Sequence, residues 1–333
     1  MSRNLVLITG GAGFIGSNIV ARLCEEPSAE VVVCDRLGQA DLGKWRNIAK
    51  HPIADLLPPD ALWSWLAANG ERVELIIHMG AISSTTEPDA DLIAGVNFGL
   101  SRDLFLWATE HKVRMIYASS AATYGDGALG FDDCDDLAHL RALRPLNAYG
   151  WSKALFDLFC ARQTVRGEAP PQWTGLKFFN VFGPNEGHKG AMRSVVAQIW
   201  PQVAAGEPVR LFRSENPAYA DGGQLRDFIY VRDVADCVAW LARARCPSGV
   251  FNLGSGKARS FEDLARAVFA AAGREPRIEF IDMPPALRGK YQYFTEARME
   301  RLRQAGWNTP STSLEAGVAD YVTRFLAADD SYL

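Results

Sequence analysis

A tyrosine and a lysine four residues apart, Tyr149 and Lys153, form a pair that could move a proton. Two residues at this spacing share one face of a helix. A tyrosine can accept a hydroxyl proton only if its pKa, ordinarily about 10, falls, and a nearby ammonium would lower it. The same ammonium could hold a hydroxyl of a bound cofactor. Tyrosine and lysine also occur at this spacing without any function, so the pair needs support from elsewhere in the chain.

A glycine-rich segment, residues 9–16, gives that support. It follows the apolar run 5–8, which is typical of a buried parallel strand, and opens a helical pattern over residues 14–24. In a dinucleotide-binding turn the glycines permit the tight turn, let the backbone approach a pyrophosphate and pack the helix against the strand. The candidate cofactor contacts here are Gly10, Gly13, Phe14, Ile15 and Gly16. Glycines also punctuate ordinary strand-to-helix turns, but the flanking strand and helix favour binding.

The composition is that of a globular α/β protein large enough for a second, smaller lobe. The 333 residues are 48% hydrophobic and 22% charged, and the net charge of −4 provides no basic field for nucleic acid. With neither an apolar stretch of membrane-spanning length nor a signal-peptide pattern, the sequence predicts a cytoplasmic protein without a membrane partner. The six cysteines lack metal-ligand spacing, so no metal is expected. Only His188, in a glycine-flanked loop, stands out among the five histidines.

The order of the elements predicts the fold class. Short β-rich runs at residues 31–35, 75–78 and 114–118 alternate with helical stretches, which indicates a Rossmann-type doubly wound parallel sheet with a smaller α/β substrate-binding lobe. A helix beginning at residue 147 or 148 would carry the Tyr149 and Lys153 pair. A strand over residues 175–180 is expected to end in a turn at 181–184.

The second half of the chain has a looser pattern. We predict strands at residues 208–212, 250–253 and 277–281, helices at 192–205, 260–272 and 314–326, and a mobile polar loop at 213–224. The predicted cofactor domain comprises residues 1–179 and 226–256. Residues 180–225 and 257–333 then belong mainly to the substrate-binding lobe.

Asp35 and two nearby cations bear on the choice of cofactor. Asp35 ends the second strand nineteen residues beyond Gly16, where an acidic side chain usually accepts hydrogen bonds from the adenosine ribose of NAD. Arg36 and Lys44 could instead pair with the 2′-phosphate of NADP, or remain solvated loop cations. The sequence favours NADP and leaves NAD as the alternative.

The loop after the strand at 75–78 is a second candidate cofactor surface, because loops at the carboxyl ends of parallel strands commonly bind ligands. Its candidate cofactor contacts are Met79, Gly80, Ala81, Ile82 and Ser83, with Asn97 further along the chain. The hydroxyls of Ser84 and Thr85 are candidate substrate contacts, although a plain Ser/Thr turn is an alternative for either one.

Ser120 adds a strand-end hydroxyl that could hydrogen-bond the reacting oxygen. Together, the glycine turn and the Ser120, Tyr149 and Lys153 set resemble the extended short-chain dehydrogenase/reductase family from Asn4 to about Gly256. Dehydratases of this family carry an Asp-Glu pair after the triad hydroxyl, where this chain has Ala121 and Ala122. The resemblance therefore favours reversible oxidation and reduction over loss of water. A silent dinucleotide sensor would be expected to lack the tyrosine or the lysine, and both are present.

Longer strings resemble the branch of this family that epimerises ADP-heptose. They lie at residues 9–20, 83–87, 117–125, 179–190 and 289–295. The resemblance implies inversion at C6 of ADP-D-glycero-D-manno-heptose through a 6-keto intermediate, with NADP regenerated each turnover, for the lipopolysaccharide inner core. It also implies a homo-oligomer such as a pentamer.

The resemblance also assigns residues to roles. Lys189 would be a second proton-handling group that touches the cofactor, and Val181 would lie near nicotinamide. The implied substrate contacts are Ser84, Thr85, Ser120, Asn180, Ala191, Gln198, Phe212, Arg226 and Tyr291. Ala191 and Gln198 stand where the branch has a serine and a histidine, and the chain is longer over residues 214–226. An epimerase or reductase of another nucleotide sugar is therefore the alternative.

Overall fold

A computed structural model describes residues 5–26, 28–284 and 292–333, and its centre is a seven-stranded parallel sheet. The strands of the described chain are β1 (Leu5–Thr9), β2 (Glu30–Cys34), β3 (Asp55–Leu57), β4 (Val73–His78), β5 (Arg114–Ser120), β6 (Trp173–Phe178), β7 (Asn180–Phe182), β8 (Val209–Phe212), β9 (Leu225–Tyr230), β10 (Gly249–Leu253), β11 (Ala258–Ser260) and β12 (Ile278–Ile281). The large sheet has the order β10-β6-β5-β4-β1-β2-β3, with every pairing parallel. The predicted doubly wound sheet is confirmed.

Helices cover both faces of this sheet and also form most of the core of the smaller lobe. They are α1 (Phe14–Cys24), α2 (Leu62–Asn69), α3 (Ala90–Ile93), α4 (Leu100–Glu110), α5 (Leu137–Ala142), α6 (Ala148–Arg166), α7 (Val195–Ala205), α8 (Val231–Arg243), α9 (Phe261–Ala271), α10 (Glu300–Gln304) and α11 (Leu314–Tyr321). Along β1, Val6 and Ile8 join a core cluster with residues of α1 and α8, whereas Leu5 and Leu7 join one with residues of α2 and α4. Alternate side chains of a strand point to opposite faces, so β1 is apolar throughout.

The helix α6 begins where the sequence predicts. The side chain of Asn147 accepts a hydrogen bond from the backbone N–H of Gly150 at 2.8 Å and caps the helix. This cap places Tyr149 in the first turn and Lys153 one turn later. At its other end, Gly167 adopts the left-handed conformation that terminates the helix.

The predicted turn at residues 181–184 is wrong at its start. The strand β6 ends at Phe178, and after Phe179 the chain enters β7, which pairs with β9 in a separate three-stranded sheet. The backbone N–H of Phe179 still bonds to the carbonyl of Leu253 in β10, at 3.2 Å. The backbone therefore passes from one sheet to the other at a single residue, a change of partner that local sequence does not encode.

Other differences are smaller. The helix expected from residue 192 begins at Val195, because the Ser194 hydroxyl caps it and residues 187–192 form a 3₁₀ segment. The strands β3, β9 and β11 and the helix α8 have no counterpart among the predicted elements. The strands β8 and β12 form a separate parallel pair, as part of the smaller lobe.

The turn between β1 and α1 leaves no room for a side chain at Gly16, where an added Cβ would overlap the carbonyl oxygen of Gly10. We expect Gly16→Ala to lower the free energy of unfolding by about 1–3 kcal/mol, because backbone must shift to admit the methyl group. Gly95→Ala is the matched control, since nothing lies within 4 Å of a Cβ there, and it should change stability by less than about 0.5 kcal/mol. Chemical denaturation measures both, and equal stability of the two variants would contradict the prediction.

Candidate active site

A cleft of 450 Å³ opens at the carboxyl ends of β1, β4, β5 and β6. It includes the position between β1 and β4 where successive crossovers diverge, which is where ligands bind in doubly wound folds. Predicted site residues that line it are Gly10, Gly13, Phe14, Ile15, Gly16, Asp35, Lys44, Met79, Gly80, Ala81, Ile82, Ser83, Ser84, Tyr149, Lys153 and Lys189. The structure thus brings the glycine turn, the Tyr149 and Lys153 pair and Lys189 to one cavity.

The floor of the cleft depends on a close backbone approach. Gly10 has a φ of +68°, and a Cβ there would lie 2.5 Å from the backbone nitrogen of Gly80. The loop after β4 therefore lies directly against the turn after β1. Because α1 begins at Phe14, its N-terminus and the free backbone N–H groups there face the cleft, as a pyrophosphate site requires.

Asp35 is already engaged at one end of the cleft, the end that is predicted to receive the adenosine of a cofactor (the adenosine end). Its carboxylate accepts hydrogen bonds from the backbone N–H of Ala12 at 2.9 Å and from the Lys44 ammonium at 2.7 Å. The Arg36 guanidinium instead pairs with Asp60 at 3.1 Å, and its side chain is 73% exposed. Lys44 therefore neutralises the carboxylate, while Arg36 points away from the lining of the cleft.

Tyr149 and Lys153 occupy environments that disfavour charge. Lys153 is only 2% exposed, and burial lowers its pKa to about 8, an effect opposed by the carboxylate of Asp157. Burial raises the pKa of Tyr149, and a hydrogen bond with Ser120 opposes that rise. Ser120 thus reaches the predicted base.

Asn97 lies beneath the loop that follows β4. Its amide oxygen accepts the backbone N–H of Ile82 at 2.8 Å, and its amide nitrogen donates to the Ile82 carbonyl at 3.0 Å and to the Ser152 hydroxyl at 3.2 Å. The Ser152 hydroxyl donates to the carbonyl of Tyr149 at 2.7 Å. Asn97 therefore ties the loop to α6, and its predicted contact with the cofactor stays a prediction.

Lys189 enters the cleft from the 3₁₀ segment Gly187–Met192. Its ammonium lies 5.1 Å from the centre of the Phe14 ring, a cation–π distance. Burial lowers the pKa of Lys189, and the nearby carboxylate of Glu186 opposes this shift. A partly buried lysine with a lowered pKa is a candidate for proton transfer.

Glu186, which the sequence analysis missed, directly precedes this segment and anchors it by hydrogen bonds. Its buried carboxylate accepts hydrogen bonds from the backbone N–H and hydroxyl of Ser194, and from the Tyr321 hydroxyl at 3.0 Å. Burial raises the pKa of Glu186. An acidic residue three positions before Lys189 was the available signal, but its partner in α11 is 135 residues away and could not be read from the sequence.

Further residues line the cleft without having been predicted to do so: Ala118, Phe178, His188 and Met192. Ala118 and Phe178 lie near the carboxyl ends of β5 and β6, so their strand positions were the available signal. His188 lies beside the adenosine end, with its Nδ1 atom 3.2 Å from the Asn47 amide nitrogen. Burial, together with the charge of Lys44, lowers its pKa to about 4.

The remaining predicted site residues lie outside this lining. Those described are Arg36, Thr85, Asn97, Ser120, Asn180, Val181, Ala191, Gln198, Phe212 and Arg226. The Gln198 amide donates to the carbonyls of Ala191 and Arg193, at 3.2 and 2.7 Å. Arg226 lies 5.6 Å from the Phe261 ring. Tyr291 falls outside the described residues, and the roles of this whole group stay predictions.

The described chain offers neither a metal-ligand cluster nor a membrane-spanning helix. Within residues 5–26, 28–284 and 292–333, no group of three or more His, Cys, Asp or Glu side chains could hold a metal ion. Over the same ranges, none of the helices combines the length and apolar character needed to cross a membrane.

Comparison with known proteins assigns the chain to a family. Residues 6–254 match the model of the NAD dependent epimerase/dehydratase family, and the chain belongs to this family. The ADP-L-glycero-D-manno-heptose-6-epimerase of Nitratidesulfovibrio vulgaris is 49% identical, over 99% of this chain and 100% of that protein. The crystal structure of the Helicobacter pylori protein of the same name is 29% identical, with a TM-score of 0.78 over 97% of this chain and 96% of that one. The Thermus thermophilus UDP-glucose 4-epimerase complex with NAD is 28% identical, with a TM-score of 0.75 over 97% and 99%.

The burial of Lys153 should make the stability of the fold depend on pH. Its pKa falls from the ordinary 10.5 to about 8, so between these values the unfolded chain binds more protons and the free energy of unfolding rises with pH. Below pH 8 the fold carries the cost of a buried ammonium. We therefore expect Lys153→Met to be at least as stable as wild type near pH 7. As the pH rises from 8 to 10.5, the free energy of unfolding of wild type should increase relative to that of the variant.

Denaturant titrations at about pH 7 and pH 9.5 measure this difference. Lys257→Met, at an exposed lysine, is the control and should show no such change with pH. A Lys153→Met variant less stable than wild type near pH 7 by more than about 1 kcal/mol would contradict the prediction.

Proposed function

We propose that this chain is an isomerase that converts ADP-D-glycero-D-manno-heptose to ADP-L-glycero-D-manno-heptose by inversion at C6, for the lipopolysaccharide inner core. The observation that carries the proposal is the presence of Tyr149 and Lys189 in one cleft with the glycine turn. Full-length relatives whose names state this activity support it. By the family resemblance, we also propose a cytoplasmic homo-oligomer, such as a pentamer.

The cleft fits a nicotinamide cofactor, because the close approach of Gly10 and Gly80 brings the turn after β1 and the loop after β4 to one cavity, and α1 begins there. A nicotinamide cofactor held by the glycine turn and the loop after β4 would supply reversible hydride transfer at C6. Tyr149 holds the position of the base that removes the hydroxyl proton, with Ser120 beside it and Lys153 on the same helix face.

Inversion also requires proton handling for the second face of the keto sugar, and Lys189 supplies it in this proposal. Its position against the Phe14 ring and its lowered pKa support the role. The residues after Ser120 are Ala121 and Ala122, so the dehydratase acid–base pair is absent at these two positions. Oxidation followed by reduction is therefore favoured over elimination.

Lys44 supports NADP as the cofactor, the finer choice within the nicotinamide class. With Lys44 bonded to it, the Asp35 carboxylate presents less negative charge to a 2′-phosphate at this end of the cleft. Arg36 would add a bidentate partner once released from Asp60, its exposed partner in the free protein. NAD in the T. thermophilus complex supports the alternative.

A second candidate is an epimerase of another nucleotide sugar. Two observations favour it: Ala191 is exposed without a hydroxyl to offer, and the Gln198 amide is occupied with backbone carbonyls of the Lys189 segment. A sugar bound at these positions would contact Ala191 and Gln198, whereas the ADP-heptose branch of the family has a serine and a histidine there.

The substrate test is NMR of the sugar after incubation with ADP-D-glycero-D-manno-heptose and no added reductant. We expect inversion at C6 by wild type, and a loss of about 10²–10⁴-fold in Tyr149→Phe because the base is removed. Lys189→Met should lose turnover as well, whereas Lys257→Met, an exposed lysine, should not. Turnover confined to UDP- or GDP-sugars would overturn the substrate, and an active Tyr149→Phe would overturn the mechanism.

Cofactor preference is tested by binding. We expect Lys44→Ala to weaken NADP about tenfold or more while changing NAD much less, because Asp35 then repels the 2′-phosphate without compensation. Arg36→Ala should act in the same direction. Lys50→Ala is the matched control, since Lys50 pairs with Asp330 and does not line the cleft. Equal losses for NADP and NAD in Lys44→Ala would show that Lys44 does not read the phosphate.

A further inference from the structure

A fully buried ion pair joins α6, the helix that carries Tyr149 and Lys153, to the strand β6. We propose that Asp157 and Lys177 form a positioning pair that keeps the net charge behind Tyr149 and Lys153 close to zero, so that Tyr149 can ionise at the pH at which the protein works. This inference deepens the proposed function and rests on it for the role of Tyr149. The residues of the pair belong to α6 and β6 and are absent from the lining of the cleft.

The position of Asp157 follows from helix geometry. Tyr149, Lys153 and Asp157 are spaced by four residues along α6, so the three side chains share one face. Asp157 is 0% exposed, and a carboxylate in such a place requires partners. It accepts hydrogen bonds from the Tyr117 hydroxyl at 3.0 Å and the Ser119 hydroxyl at 2.8 Å, both from β5.

Lys177 of β6 is the counter-charge. Its ammonium lies 3.2 Å from the Asp157 carboxylate and is itself fully buried. It donates to the Thr123 hydroxyl at 2.6 Å and lies 4.5 Å from the centre of the Tyr124 ring. Both groups that Lys177 contacts on that side are uncharged, and the charge of Asp133 acts on Lys177 more weakly than that of Asp157, so Lys177 compensates Asp157. Among the described residues no other ion pair of Asp157 does so.

Asp157 acts on both catalytic groups. Burial lowers the pKa of Lys153, and the negative charge of Asp157 opposes that fall. Burial raises the pKa of Tyr149, and the charge of Asp157 adds to that rise. An isolated carboxylate would therefore help the lysine and oppose the tyrosine. In a water-poor interior such a charge acts over several ångströms, and a cation beside it cancels most of its field. With Lys177 beside it, the Asp157 carboxylate still attracts the Lys153 ammonium but opposes ionisation of Tyr149 less strongly.

The groups that surround the pair come from every neighbouring element. They are Tyr149, Lys153 and Cys160 on α6, Tyr117 and Ser119 on β5, Lys177 on β6, Thr123 and Tyr124 after β5, His78 on β4 and Asp133 in the segment before α5. Burial raises the pKa values of Tyr117, Tyr124 and Cys160, and lowers that of His78 to about 3, so these groups stay neutral near pH 7. The charge behind the catalytic face is thus set chiefly by Asp157, Lys177 and Lys153.

The experiment compares Lys177→Met, Asp157→Asn and the double variant, with Lys177→Arg as the charge-conserving control. The primary readout is the ultraviolet absorbance of the Tyr149 phenolate as a function of pH, taken as the difference between each protein and its Tyr149→Phe counterpart, with nicotinamide cofactor bound. No sugar is needed, so a wrong substrate assignment leaves this readout intact. The pH dependence of turnover is the second readout.

Lys177→Met leaves the carboxylate uncompensated, so we expect the phenolate titration to move to higher pH by roughly half a unit or more. Asp157→Asn removes the negative charge and should move it to lower pH. The double variant removes both charges and should return close to wild type, as should Lys177→Arg. The acidic limb of the pH profile of turnover should shift in the same direction as the phenolate titration, because a higher phenol pKa leaves less ionised Tyr149 at a given pH.

A purely structural pair gives a different pattern. Both single variants and the double variant would then lose stability and turnover while the phenolate titration stays at the wild-type pH, and this result would overturn the proposal. If Lys177→Met does not fold, Asp157→Asn against the double variant still tests it. If the Tyr149 phenolate titrates at the same pH in Asp157→Asn, in the double variant and in wild type, the inference is wrong. If it titrates at a lower pH in Asp157→Asn alone, the inference is supported.

Discussion

The cleft exists because three backbone segments approach one another more closely than side chains would allow. Gly10 places the end of β1 against Gly80 of the loop after β4, and Gly16 places the first turn of α1 against the Gly10 carbonyl. These contacts bring the N-terminus of α1 and the loop after β4 to the same point, so one ligand can touch both. A methyl group at either position would separate the elements and move their backbone N–H groups out of register with a pyrophosphate. Everything else in the site is arranged around this crossing.

Several charged groups of the site have an opposite charge nearby. Lys44 neutralises Asp35 at the adenosine end, and Glu186 lies near Lys189 at the opposite wall. Burial of an unpaired ion is costly, so these pairs let the protein keep ionisable groups in a water-poor cavity. The pairing also means that a change in one residue alters the behaviour of another that touches the ligand.

The sequence was informative where local geometry decides the structure. The glycine turn, the start of α6 and the alternation of strands and helices depend on neighbours in the chain, and the structure has them where expected. Contacts between distant segments were not predictable. Arg36 could not be seen to pair with Asp60, nor Glu186 with Tyr321, because a single sequence gives no partner for a charge or a hydroxyl. The passage of the chain from β6 into a different sheet at Phe179 escaped prediction for the same reason.

That passage bears on how a sugar can show both faces of one carbon to the same hydride donor. Phe179 is buried, its N–H bonds to the carbonyl of Leu253, and its own carbonyl accepts the N–H of Val181 at 2.9 Å. The connection from β6 to β7 is thus a single residue held on both sides, which leaves little freedom for a hinge at this point of the chain. We expect the walls of the cleft to stay in place during the reaction. The change that exposes the second face then belongs to the bound sugar: C6 lies outside the pyranose ring, so rotation about the C5–C6 bond can turn the ketone over inside a stationary cavity.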